Sequence, residues 1–173
     1  MVDIALYALA RAAHDEEYGL FPRRIILVVD RRILVDQAWR HGQRLLERLA
    51  GAAELAPLRN ALAKLSPEPA SSIRLRGACP TDPRWCRSPD QVQIIASTVD
   101  QIGSRLLLRG YGVTPRMRSV EAGLIGQDAL LLLDEAHLAG PLLDTLGHLD
   151  RLDPVRSLTS RRHVVQLSAT AAT

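Results

Sequence analysis

Asp134 and Glu135 are adjacent carboxylates that follow the apolar run Ala129-Leu130-Leu131-Leu132-Leu133 and precede Ala136 and His137. An Asp–Glu pair delivered by a buried strand suits phosphoryl chemistry. One carboxylate can hold Mg²⁺ through water, because that ion gives up its hydration shell reluctantly. The next can orient and polarise an attacking water. The same pair could instead serve only as an acidic helix start, where the helix dipole favours negative charge. Farther along, Ser168-Ala169-Thr170 follows the run Val164-Val165-Gln166-Leu167. By itself this tripeptide reads as a turn with hydroxyl caps. Asp30-Arg31-Arg32 and Ser97-Thr98 close two further apolar runs. Guanidinium groups are planar donors suited to phosphate, and Arg31-Arg32 also reads as a solvated strand-end pair.

Residues of this kind need elements to hold them. Short apolar runs alternate with helical stretches, which predicts an α/β domain with a parallel sheet. Strands are predicted over 24–30, 92–97, 129–133 and 163–167. Helices are predicted over 3–13, 33–50, 54–65, 98–108 and 141–149, with Ile33, Ala38, Leu45, Leu46 and Leu49 on the core face of the second. Segment 66–91, with Pro67, Pro69, Pro80, Pro83 and Pro89, reads as an irregular insertion in one domain spanning 1–173. In open α/β sheets the carboxyl ends of the strands face the ligand crevice. Asp30, Thr98, Asp134 and Ser168 are therefore expected along one edge of the sheet.

Composition narrows the classes. A chain of 173 residues that is 47% hydrophobic and 24% charged is expected to fold rather than stay disordered. No apolar run approaches the ~20 residues that span a bilayer. The first residues, MVDIALYALARAAHDEE, carry neither a basic start nor a small-residue cleavage site, so no secretory leader is expected. Cys79 and Cys86 match neither a zinc pair nor a disulfide framework and read as ordinary thiols in a reducing cytoplasm. His14, His41, His148 and His163 show no metal-ligand spacing. Of 22 Lys+Arg only Lys64 is lysine, and the net charge of +3 permits nucleic-acid binding without demanding it. Two Trp, three Tyr and one Phe are too few for a broad base-stacking platform.

D-E-A-H followed by S-A-T resembles motifs II and III of superfamily 2 helicases. The stretch Val28-Val29-Asp30-Arg31-Arg32-Ile33-Leu34-Val35-Asp36-Gln37 is similar to the motif Ia region of the CRISPR-associated helicase-nuclease of type I systems. So is the run from Ala96 to Leu107, A-S-T-V-D-Q-I-G-S-R-L-L, with Arg109-Gly110-Tyr111-Gly112 after it, which looks most like the type I-U variant. The resemblance runs from about Asp3 to Thr173 and implies a three-layer RecA-like lobe of the P-loop NTPase type. It implies ATP and Mg²⁺ as cofactors, with Asp134 holding the ion through water and Glu135 activating the attacking water. His137, Ser168, Ala169 and Thr170 would couple nucleotide state to the DNA surface. Arg31, Arg32, Thr98 and Gln101 would lie along the phosphate backbone of single-stranded DNA, although Gln101 also reads as an exposed helix residue.

The family's partners would be a CRISPR effector complex, a second RecA-like lobe and a nuclease domain, all in the cytoplasm and away from membranes. Within these residues there is no G-x-x-x-x-G-K-[ST] loop, and Lys64 stands without a nearby glycine. By resemblance the chain is expected to start just past that loop, to stop just after motif III, and to hydrolyse ATP negligibly alone. Two other readings stand beside it. One is a non-catalytic remnant or docking module; the other is the lobe of a different superfamily 2 DEAH-type helicase, against which D-R-R and V-D-Q argue.

Overall fold

The computed structural model describes residues 1–15, 21–77, 83–152 and 162–168. Its elements in chain order are α1 (Val2–His14), β1 (Arg24–Val29), α2 (Arg32–Gly51), α3 (Ala56–Ala63), β2 (Ser71–Leu75), β3 (Gln93–Thr98), α4 (Val99–Leu106), α5 (Arg118–Gly126), β4 (Ala129–Leu133), α6 (Gly140–Leu152) and β5 (Arg162–Gln166). The five strands form one sheet in the order β2-β3-β1-β4-β5, and every neighbouring pair is parallel. Helices cover both faces. The arrangement is a three-layer α/β domain consistent with a RecA-like fold.

The sheet is double-sided because β1 from Ile25 to Val29 and β4 along its whole length are apolar at every position. In β1, Ile25 faces a core made with α1, α2 and α3, while Ile26 and Val28 face a second core made with α4, α5 and α6. In β4, Leu130 and Leu132 point to the first side and Leu131 and Leu133 to the second. Such continuous runs mark strands buried on both faces. Each fully buried Leu or Ile side chain contributes roughly 1.5–3 kcal/mol. Helix α1 supplies Val2, Ala5, Leu6, Leu9, Ala10 and Ala13 along one stripe, the 3.6-residue period of an amphipathic helix.

Segment 66–91 is not irregular throughout, as the sequence suggested, because Ser71–Leu75 is an edge strand of the sheet. Its signal was weak, since only Ile73 and Leu75 are apolar. Helix α2 recruits it. The Ser72 hydroxyl donates to the Trp39 carbonyl at 3.2 Å, and the Trp39 indole N–H donates to the Ser72 carbonyl at 3.3 Å. Gly42 permits this approach, because a methyl group there would stand 2.6 Å from the Ser72 hydroxyl. Two expectations for helices also change. Ile33 is 60% exposed, standing at the first turn of α2 rather than on its core face. Helix α5 went unread because it is nine residues long and carries two glycines, Gly123 and Gly126.

Two charged clusters are buried in the interior. Arg24, 4% exposed, donates to the carbonyls of Leu124, Pro89 and Gln127, which ties β1 to the loops at the amino edge of the sheet. Between α4 and α5, Arg105 at 1% exposure donates to the Glu121 carboxylate at 2.7 Å and to both the side chain and carbonyl of Gln101. Cys86 packs on this second side. Its thiol is pushed up to about 12 by burial first and then by Glu121, with Arg105 opposing.

Removing one partner of a buried ion pair leaves an uncompensated charge. Arg105→Met is expected to lose about 3–5 kcal/mol in urea denaturation, and Arg105→Met/Glu121→Leu to recover most of it. A second measurement reads the thiol. In a Cys79→Ser background, Cys86 in the folded chain should alkylate far more slowly at pH 8 than in urea. Comparable rates would place the thiol at the surface.

Candidate nucleotide and nucleic-acid edge

A parallel sheet sends the carboxyl end of every strand to the same edge. Val29 of β1 is level with Thr98 of β3, Val28 with Leu133 of β4, and Leu133 with Gln166 of β5. Asp30, Thr98, Asp134 and Ser168 therefore share one edge, as the strand-end pattern suggested. The chain leaving β1 passes to the helical layer of α2 and α3, whereas the chains leaving β3 and β4 pass to the opposite layer. Such a divergence opens a crevice between neighbouring strand ends, and Asp30 and Asp134 flank it.

The carboxylate pair is held by main-chain bonds. The Asp134 amide donates to the Val28 carbonyl at 2.9 Å, which extends the ladder between β1 and β4 by one residue. Glu135 then adopts left-handed backbone, φ 49° and ψ 53°. For a residue with a β-carbon this conformation costs of order 1 kcal/mol, and such outliers cluster at functional sites. The turn is pinned on both sides. The Leu138 amide donates to the Glu135 carbonyl at 2.8 Å, and the Ala136 amide to the Leu167 carbonyl at 2.9 Å. This last bond joins the D-E-A-H turn to the residue before Ser168. Asp134 and Glu135 are half-buried, and His137 and Ser168 are exposed. The Glu135 carboxylate reaches the His137 Nδ1 at 3.4 Å. Ala169 and Thr170 lie outside the described residues.

The donor set fits a magnesium ion held in part by water and phosphate oxygens, since Asp134 offers hard carboxylate oxygens at a half-buried position. It does not fit an all-protein metal cage, because no group of three metal-ligating side chains occurs among the described residues.

The residues expected along a phosphate backbone fall into two groups. Arg31 is 77% exposed at its side chain and lies 3.4 Å from the Asp30 carboxylate. Arg32 is exposed too, and a methyl group added at Gly77 would stand 3.4 Å from its guanidinium. Both are open to a ligand. Thr98 is 8% exposed and Gln101 5%. Gln101 accepts from Arg105 through its side chain, so it braces α4 from inside and does not meet solvent.

Sequence reading missed a neighbouring group. The Asp36 carboxylate accepts from Arg74 Nη1 at 3.0 Å and from Arg76 Nε at 2.8 Å, and the Arg74 guanidinium stacks 4.3 Å from the Trp39 ring centre. The available signal was Arg74-Leu75-Arg76, in which alternate residues share a strand face. Burial alone would raise the Asp36 carboxyl, but the hydrogen bonds from Arg74 and Arg76 outweigh it and hold the carboxyl below its ordinary value.

A carboxyl lowered by folding stabilises at pH above its unfolded value, near 3.9. That contribution is lost as pH falls through the lower folded value. Stability of the native chain should therefore fall less steeply with acid in Asp36→Asn than in the parent, measured by thermal melts from pH 6 down to the onset of acid unfolding. Parallel curves would show that the pair of arginines does not hold the carboxylate in solution.

No family model, no curated protein and no solved structure matches this chain.

Proposed function

We propose that this chain is the first motor lobe of an ATP-dependent DNA helicase of the CRISPR-interference kind, acting with a second lobe, a nuclease domain and an effector complex. The observation that carries the reading is the D-E-A-H turn at the carboxyl end of β4. It is strained at Glu135 and hydrogen-bonded through Ala136 to the strand that precedes Ser168. A chain that needed only an acidic helix start has no use for a left-handed glutamate there. The sequence resemblance supplies the identity of the motor; the geometry supports its chemistry.

In this reading, bound ATP with Mg²⁺ supplies the phosphoryl group to be transferred. Asp134 would hold the ion through water, and the ion would neutralise charge on the phosphates. Glu135, directed by its fixed backbone, orients and polarises the attacking water. Asp134 and Glu135 sit on rigid main-chain ladders, so little reorganisation is needed when charge develops. The bond from Ala136 to Leu167 gives a direct route by which movement at the carboxylates reaches Ser168. His137, exposed beside Glu135, is placed to sense the same movement. Arg31 and Arg32 face outward at the neighbouring strand end and pair with backbone phosphates of single-stranded DNA, without reading sequence. Gln101 takes no part in that contact and acts by holding α4 through Arg105. Thr98, at the start of α4, is the nearest residue of that helix to the edge.

These residues hold no phosphate-gripping loop and no arginine from a second lobe. Such an arginine alone is worth ~10³–10⁵ in turnover in related ATPases. Phosphate release by the chain alone, with oligo-dT present, should stay at the level of Glu135→Gln. A rate above that level, abolished by Glu135→Gln, would show that the lobe is self-sufficient. Binding of labelled oligo-dT, measured by anisotropy, should weaken in Arg31→Ala/Arg32→Ala. Its log–log salt slope should shrink by roughly one per arginine. An unchanged slope would remove the DNA surface from this edge and leave the docking-module reading.

A further inference from the structure

The connection between α4 and α5 includes the Arg109-Gly110-Tyr111-Gly112 run and is built as a presented surface, to which the motor reading gives no role. Leu107, Leu108 and Tyr111 are 55%, 53% and 65% exposed. Arg109, Arg116 and Arg118 are exposed in the same connection, and residues 107–120 contain no acidic side chain. Most exposed apolar side chains on a protein are scattered singly. Here three lie within five residues, and the backbone is committed to holding them out.

That commitment is visible in the dihedrals. Leu108 has φ 60°, Gly110 φ 25° and Gly112 φ 75°. The glycines accept such values freely, but a leucine does not. The cost at Leu108 brings no core packing, since the side chain points to solvent. The loop is also closed by its own hydrogen bonds. The amides of Arg109 and Gly110 both donate to the Ser104 carbonyl, at 2.8 and 2.9 Å, and Val113 donates to Gly110 at 3.1 Å. Gly110 is required, because a methyl group there would meet Val113 at 2.6 Å. A rigid loop loses little entropy when it binds, which favours affinity.

We infer that residues 107–118 form a docking knob for an acidic amphipathic segment of another protein. Leu107, Leu108 and Tyr111 enter its apolar side, and Arg109, Arg116 and Arg118 meet its carboxylates. The aliphatic pair decides between partners. Nucleic acid rewards aromatic and cationic groups but gives two leucines nothing to bury against, whereas a protein segment buries both. Uniform positive charge selects an acidic partner and rejects a basic one.

The test is anisotropy with a labelled helical peptide bearing leucines on one face and glutamates on the other. Its controls are the same peptide with lysines replacing the glutamates, and labelled oligo-dT. The glutamate peptide should bind saturably and the lysine peptide should not. Leu108→Asn and Arg109→Glu should each weaken binding about tenfold or more. Asparagine tolerates left-handed backbone, so Leu108→Asn should melt no lower than the parent, which separates lost docking from lost folding. Three outcomes overturn the inference: no saturable binding of the glutamate peptide, equal affinity in parent and variants, or oligo-dT binding that these variants abolish. Loss of oligo-dT binding on changing Arg31 and Arg32 bears only on the motor edge, so the two readings fail separately.

Discussion

Strand β1 has neighbours on both edges and core on both faces, so its side chains from Ile25 to Val29 are buried, with Leu27 half-buried. Apart from the buried Arg24 at its start, the polar residues Asp30, Arg31 and Arg32 appear only where this strand ends. Strands β3 and β4 are likewise buried throughout, β3 with Gln93, Ser97 and Thr98 inside it. Parallel pairing then fixes the direction in which those polar residues emerge. The edge bearing Asp30, Thr98 and Asp134 is thus a consequence of burial, since a parallel sheet cannot place a strand-end carboxylate anywhere else. At this edge the residue that departs from easy geometry is Glu135, at the point where the chain leaves the ladder.

The interior adds a second constraint. Arg24 and Arg105 are buried cations, and burial of charge is costly unless hydrogen bonds answer it. Arg24 is answered mainly by backbone carbonyls and Arg105 by Glu121 and Gln101. The two arginines do different work. Arg24 closes the amino edge of the sheet around the start of β1. Arg105 joins α4 to α5 and so fixes the helix that follows Thr98. An arginine-rich composition, which at first suggests surface chemistry, is partly spent on internal fastening.

How much of this was legible in the sequence depends on how local the cause is. Strands β1, β3 and β4 announce themselves through unbroken apolar runs, and their polar ends follow from the runs. Strand β2 does not, because Ser71 and Ser72 become strand residues only when Trp39 and Gly42 of α2 meet them. Gln101 read as a surface residue because a short helix does not reveal which polar side chain faces inward. Its partner Arg105 is four residues on, but Glu121, which makes the pair burial-competent, lies in a helix that two glycines concealed. The left-handed backbone at Glu135 has no sequence signature, since glutamate carries no preference for it. The identity of the carboxylates was readable, and the way they are aimed was not.

The two margins of the sheet differ in a way that bears on assembly. Strand β2 is shielded by the long helix α2, which docks on it through Trp39. Among the described residues strand β5 pairs only with β4, and Val165 is 42% exposed. At its start Arg162 is turned back onto α6, where its guanidinium donates to the Leu146 carbonyl and the Asp150 carboxylate. The outer row of amides and carbonyls on an edge strand is in general a template for an extended polypeptide of fitting direction. Among the described residues the two flanks therefore differ, since β2 is fastened to α2 through Trp39 and Ser72 whereas β5 has β4 as its one partner.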